Sequence, residues 1–192
     1  MKNIIFHSAS LCLRCDTNVA LCAKGSAEMR RVMYIENKYW DDYIGGTDDS
    51  LTLVEYLAGK RKRDITITEI FADTGIDQLQ WDFKQADSLS VTVDGMEAEI
   101  YYAIDLITDL AAILLECKVN GSVKLGDLFS GHEGELQEIC LTATPAEHEH
   151  INQALGDFVA EPLSYNLCEM TPEEDMLEMA ALCEELRQEL YG

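Results

Sequence analysis

The stretch Ala98–Glu116, AEIYYAIDLITDLAAILLE, limits the fold more than any other. Ile100, Ile104, Ile107, Ala111 and Leu114 step by 4, 3, 4 and 3, which lines them along one face of an α-helix. Ala103, Leu106, Leu110 and Ile113 widen that face, and only a narrow stripe around Asp105, Thr108, Asp109 and Glu116 is polar. A helix apolar over most of its circumference is predicted to be a buried central helix with other elements packed around it. No stretch of the chain approaches the roughly 18 apolar residues of a membrane span, so no membrane partner is expected.

Capping signals place the partners of that helix. Thr144-Pro145-Ala146-Glu147 and Thr171-Pro172-Glu173-Glu174 each offer a Thr N-cap, a Pro at the first helical position and a Glu at the third. Pro has no N–H to leave unsatisfied there, and Glu complements the helix dipole. The first helix runs to about 160, is stopped by Pro162, and carries His148, Ile151, Leu155 and Phe158 on its apolar line. The second carries Met176, Met179, Cys183, Leu186 and Leu190.

Upstream, residues 2–7 and 29–35 read as strands, with shorter ones at 11–15 and 18–22 and a turn at Gly25-Ser26. Two short helices follow at 37–44 and 50–58, separated by Gly45-Gly46. Asp49 or Ser50 caps the second, and Gly59 ends it in a left-handed conformation. Thr66-Ile67-Thr68-Glu69 has capping-box spacing and opens a helix that stops near Gly75. Residues 88–93 alternate up to Asp94-Gly95, a hairpin signal, and 136–142 form a further strand. The expectation is an α+β fold in one domain, 1–192, with room for two lobes: near-neutral 1–64 and strongly acidic 65–192.

The charge argues for a partner. The net charge is −22. Residues 1–63 hold 10 Lys+Arg against 8 Asp+Glu, a net of +2, and the remainder carries −24. Self-repulsion on that scale costs stability, so a basic partner is a reason for it, as solubility is. Most of this surface repels phosphate, which excludes free nucleic acid as its main partner. Lys60-Arg61-Lys62-Arg63 is the exception: either a solvated loop or a phosphate contact that Arg30 and Arg31 could join. Tyr39, Trp40, Tyr43 and Tyr56 lie near that run, and helix packing explains them better than base stacking.

Catalytic and metal signatures are sparse. His7, Cys12, Cys15 and Cys22 form the best metal set, since thiolates and an imidazole suit zinc. No second Cys-x-x-Cys follows, and burial of reduced cysteines is the simpler reading. His148 and His150 flank Glu149 at i, i+2, where they diverge on a helix and cannot share an ion. Phosphate loops, dinucleotide fingerprints and Gly-x-Ser-x-Gly are absent from the sequence. The chain is therefore read as a non-enzyme with no cofactor and no metal. Seven cysteines with no signal peptide point to a cytoplasmic location.

Residues 141–186, LTATPAEHEHINQALGDFVAEPLSYNLCEMTPEEDMLEMAALCEEL, resemble a stretch in accessory proteins of mobile elements from anaerobic gut bacteria. With the chain length, the acidic C-terminal region and the opening strands, the chain resembles a type II-A anti-CRISPR family of phage and mobile elements, whose members inhibit Cas9. That resemblance implies a protein that binds Cas9, itself a basic nuclease, with double-stranded DNA as a second partner. The acidic helix faces at Glu147, Glu149, Glu173, Glu174, Glu178 and Glu185 are the expected partner contacts. Lys60, Arg61, Lys62 and Arg63 are the expected nucleic-acid contacts. An immunity protein that neutralises a nuclease toxin follows the same charge logic. A metal-binding module or small enzyme built on His7 and the N-terminal cysteines, and a nucleic-acid-binding accessory protein, are the other readings.

Overall fold

In a computed structural model, which describes residues 32–36, 38–85, 89–129 and 137–192, the elements run in the order α1 (Asp48–Gly59), β1 (Asp64–Thr66), α2 (Ile67–Thr74), β2 (Leu89–Val93), β3 (Met96–Ile100), α3 (Ala103–Asn120), β4 (Val123–Lys124), β5 (Glu138–Thr142), α4 (Pro145–Ala160) and α5 (Glu173–Tyr191). The mixture is α+β, as its sequence pattern implies. The strands expected at 2–7, 11–15 and 18–22 and the turn at 25–26 lie outside the described residues.

The long apolar stretch divides in two. Its start belongs to β3, which pairs with β2 in an antiparallel hairpin from Leu89↔Ile100 to Val93↔Met96. Asp94 and Gly95 turn it with φ of 48° and 81°, both left-handed, which matches the twist of a two-residue hairpin loop. The rest is α3, and every residue from Ala103 to Glu116 is buried. Helices α1, α4 and α5 and strands β4 and β5 all pack on it. β5 runs parallel to β1 and antiparallel to β4, in the order β1-β5-β4.

Two expectations near the start are corrected. Residues 32–35 are not a strand. The Tyr34 and Ile35 N–H groups donate to Glu116 Oε2 on α3, at 2.7 and 3.2 Å, so a buried carboxylate takes the bonds a neighbouring strand would have made. Nor do the described residues of the helix expected at 37–44, which are 38–44, form one. Ile35 O accepts from Lys38, Tyr39 and Trp40 N–H, and Asp41 N–H closes a turn onto Ile44 O at 2.8 Å. Gly45, at φ 85°, lies so close that a Cβ there would sit 2.3 Å from the Trp40 ring. The indole donates to Leu128 O at 2.9 Å.

Three helix ends also differ from expectation. Thr47, not Asp49 or Ser50, caps α1: its Oγ1 accepts from Ser50 N–H at 3.1 Å, and Ser50 returns the contact. Gly59 is the last helical residue, and Arg61 (φ 51°) takes the left-handed turn. α5 starts at Glu173 with Pro172 at its cap and no side-chain cap bond; the Thr171 N–H donates to Leu167 O at 3.0 Å. α4 keeps its full capping box between Thr144 and Glu147, and α2 runs from a Thr66 cap to Gly75 at φ 74°. The inner line of α5, Met176, Met179, Cys183, Leu186 and Leu190, is buried, as are Ile151, Leu155 and Phe158 of α4. Each such side chain contributes roughly 1.5–3 kcal/mol by leaving water.

Candidate interaction surface

The acids of α3 lie inside the protein. Asp105 and Asp109 are 4% and 1% exposed, and Asp49 of α1 is 4% exposed. Asp49 reaches across to the start of α3, where its carboxylate accepts from Tyr101 N–H at 2.9 Å and Tyr102 N–H at 2.8 Å. It thus satisfies backbone donors that a local cap would otherwise serve. Asp109 Oδ1 accepts from Gly45 N–H at 2.8 Å, fixing the turn beside Trp40. Burial pushes the Asp109 carboxyl up to about 7, against the pull of the Ser50 and Gly45 hydrogen bonds. Burial, with the charges of Asp109 and Asp49, holds Asp105 well above the usual carboxylate range. Burial also raises Asp49, tempered by the two N–H donors. Asp105 Oδ1 and Asp109 Oδ2 have no hydrogen-bond partner among the described residues. The sequence clue is two acids one helical turn apart in an otherwise apolar helix.

The expected acidic contacts divide into braced and outward-facing groups. Glu147 is part of the α4 capping box and also accepts from the Thr68 hydroxyl of α2, so it ties two helices together. Glu149, further along α4, is exposed. On α5, Glu173, Glu174, Glu178 and Glu185 are all exposed. Tyr43 bridges from the turn region to α5, its hydroxyl 3.2 Å from Asp175 Oδ1 and 2.9 Å from Glu178 Oε2; the acceptors Glu178 and Asp175 raise its phenol well above the ordinary value. Two large apolar side chains stand among these acids, Met170 at 76% exposure and Leu177 at 54%. Beside Met170, a hollow of 260 Å³ opens between the Asp42–Thr47 turn, the first turn of α3 and the start of α5.

The basic run is engaged with neighbouring acid. Lys60 pairs with Glu69 at 3.0 Å and with Asp73, and Lys62 pairs with Glu69. The Glu69 and Asp73 carboxyls are accordingly lowered. The Lys60 ammonium also lies 4.7 Å from the Tyr56 ring centroid, within cation–π range. Arg61 and Arg63 are exposed, and Arg63 O accepts from Cys140 N–H at 2.7 Å. The run therefore braces α1 against α2. Tyr39, Trp40 and Tyr56 are buried, consistent with packing. His148 packs edge-on against Tyr191, and His150 stacks on Trp81 with centroids 4.1 Å apart.

His7, Cys12, Cys15 and Cys22 lie outside the described residues. Among the described residues no group of three or more His, Cys, Asp or Glu could hold a metal ion, and no helix is long and apolar enough to cross a membrane.

Comparison with curated proteins and with solved structures finds no match. A family model, Immunity protein 68, matches residues 34–190. This overturns the resemblance to type II-A anti-CRISPR proteins. The match spans residues 141–186, the stretch quoted for that resemblance, and it points to a cognate toxin as partner; neither Cas9 nor DNA has support. Acidic charge and amphipathic helices are common to any protein that caps a basic target, which is why they did not discriminate. Immunity proteins are generally non-enzymatic inhibitors that bind a toxin, and by this match the chain belongs to the Immunity protein 68 family.

Proposed function

We propose that the protein neutralises a basic toxin by forming a stoichiometric complex with it, without chemistry of its own. The observation that carries this reading is the family match over residues 34–190. The charge supports it: a chain at −22 attracts a positive partner from a distance and orients it before contact. A nuclease is the toxin class that fits best, because an enzyme that handles phosphates presents a positive groove. The contact surface is the outward side of α5 with Glu173, Glu174, Glu178 and Glu185, extended by Glu149 of α4. Met170 and Leu177 supply apolar anchors among the acids, in the manner of an interface with a small apolar centre and a charged rim.

The test is co-expression with the cognate toxin, followed by titration of the purified pair. The expected result is restored growth, a 1:1 complex on size-exclusion chromatography, and nuclease activity that falls linearly to zero at one equivalent. Inactivation by far less than one equivalent would point to an enzyme that modifies the toxin and would overturn the reading, as would protection without any complex.

A further inference from the structure

The hollow beside Met170 has an acidic lining and one unusual feature at its base. Asp42 of the turn region, Asp105 of α3 and Asp175 of α5 line it from three separate elements. Asp105 is 4% exposed, and its Oδ1 has no hydrogen-bond partner among the described residues. A buried carboxylate without a partner is costly to keep; Oδ1 itself is closed off from solvent, while the Asp105 side chain contributes to the lining of the hollow. We infer that the cavity between the Asp42–Thr47 turn, the start of α3 and the start of α5 is a socket for one cationic side chain, a Lys or Arg, presented by the toxin.

Size, charge and surroundings select that occupant. At 260 Å³ the hollow falls below the roughly 300–1,000 Å³ of small-molecule and cofactor sites. Two helix N-termini approach it, those of α3 and α5, and each contributes about half a positive charge. Three carboxylates outweigh them, so an anion is repelled. A metal ion lacks the ligand cluster it would need among the described residues. Met179 and Leu167 in the lining match the methylene stem of a long basic side chain, whose head then meets the acids. Tyr43, held between Asp175 and Glu178, fixes one wall. Burial and the nearby Asp109 and Asp49 charges disfavour ionised Asp105 in the free protein, and a cation in the socket relieves that penalty.

The inference rests on the immunity reading only for the identity of the molecule that carries the cation, so two arms separate the claims. In the first, amide shifts of the isotope-labelled protein are followed by NMR during titration with n-butylguanidinium and n-butylammonium, with the uncharged n-butylurea as control. A cation should saturate shifts at Tyr43, Asp105, Thr171 and Asp175 with a dissociation constant on the order of 1–10 mM, while the urea leaves them unmoved. Asp105→Asn, which keeps the shape, and Asp175→Asn, on the rim, should each weaken binding at least fivefold; Asp64→Asn, an exposed acid on β1, should not. Equal shifts from the urea, or no effect of either variant, overturns the socket. In the second arm, Asp105→Asn and Asp175→Asn should each weaken the toxin complex at least tenfold, with thermal stability retained. Unchanged affinity in both overturns the socket. A wild type that binds no toxin defeats the immunity reading instead, and the cation titration then decides the socket alone.

Discussion

Asp105 and Asp109 on α3, and Glu174 and Glu178 on α5, are both acid pairs one helical turn apart, in opposite surroundings. The first pair is buried to within a few percent; the second faces solvent. Inside, the ionised form is penalised by lost hydration, and both carboxyls are shifted upward. Outside, water screens the repulsion between like charges, which at this spacing costs only a few tenths of a kcal/mol. Asp109 and Asp49 are therefore structural and local: Asp109 pins the Gly45 turn, and Asp49 caps the start of α3. The outer acids contribute little to stability, and their charge is open to solvent and to any partner that approaches. Identical spacing yields opposite roles because burial, not sequence separation, sets the local dielectric.

The most severe way to break this contrast is to place a charge on the wrong side of α5. Met179→Asp or Leu186→Asp puts a carboxylate where the wild type has a side chain at most 2% exposed, with no backbone donor to receive it. The expected loss is on the order of 3 kcal/mol or more, which lowers Tm by roughly 2–4 °C per kcal/mol for a chain of this size. Calorimetry checks it, and an unchanged Tm would mean the stripe faces water.

A smaller effect sharpens the inner half of the comparison. The folded-state Asp109 carboxyl titrates at about 7, above its unfolded value, so the folded state binds the proton more tightly. The sign follows directly: stability is higher when the proton is bound and falls as pH rises through 7. Acidifying from pH 7 to 5 should raise the unfolding free energy by about 2 kcal/mol from this group alone. Carboxyls lowered by partners, such as Glu69 and Asp73, work against folding only once pH drops toward their own range. Urea unfolding at pH 5, 6 and 7 measures the slope, and Asp109→Asn should flatten it. A wild type that weakens between pH 7 and 5 would show that these acids are solvated.

How far the sequence could be read follows the same division. Periodic apolar spacing reports burial directly, so the buried lines of α3, α4 and α5 and the Asp94-Gly95 hairpin were legible, though residues 98–100, read as the start of the central helix, belong to β3. The cap of α4 was legible because Thr144, Pro145 and Glu147 act within one turn. What escaped depends on contacts distant in sequence. The 32–44 segment looked like strand and helix because local propensity cannot reveal that Glu116 takes its N–H groups. Asp49 looked like a cap for its own helix and instead serves α3, some fifty residues away. The Lys60–Arg63 run read equally as a solvated loop or a phosphate contact because the acids that Lys60 and Lys62 meet, Glu69 and Asp73, sit on the next helix. Charge sign pointed to a basic target but not to which one, and the family match decided between two targets that the electrostatics treat alike.

The smallest expected effect on stability comes from the outer acids, and there the comparison meets function. Changing Glu173, Glu174, Glu178 and Glu185 together to Gln removes the favourable interaction of Glu173 and Glu174, the two in the first turn, with the α5 N-terminus, each worth about 0.3–1 kcal/mol, and relieves the 174–178 repulsion. These oppose each other, and the amide oxygen that Glu178→Gln introduces still accepts from the Tyr43 hydroxyl, so the unfolding free energy should move by no more than about 1 kcal/mol. Association with the toxin should respond far more. If the outer face steers the encounter, the variant should associate at least about tenfold more slowly at low salt. Because the Debye length shrinks to about 8 Å at physiological ionic strength, the gap between variant and wild type should narrow as salt is added, while the dissociation rate changes less. Stopped-flow association across a salt series measures this. A variant that matches wild type at low salt would assign the acidic face to solubility and leave recognition to Met170, Leu177 and the socket beside them.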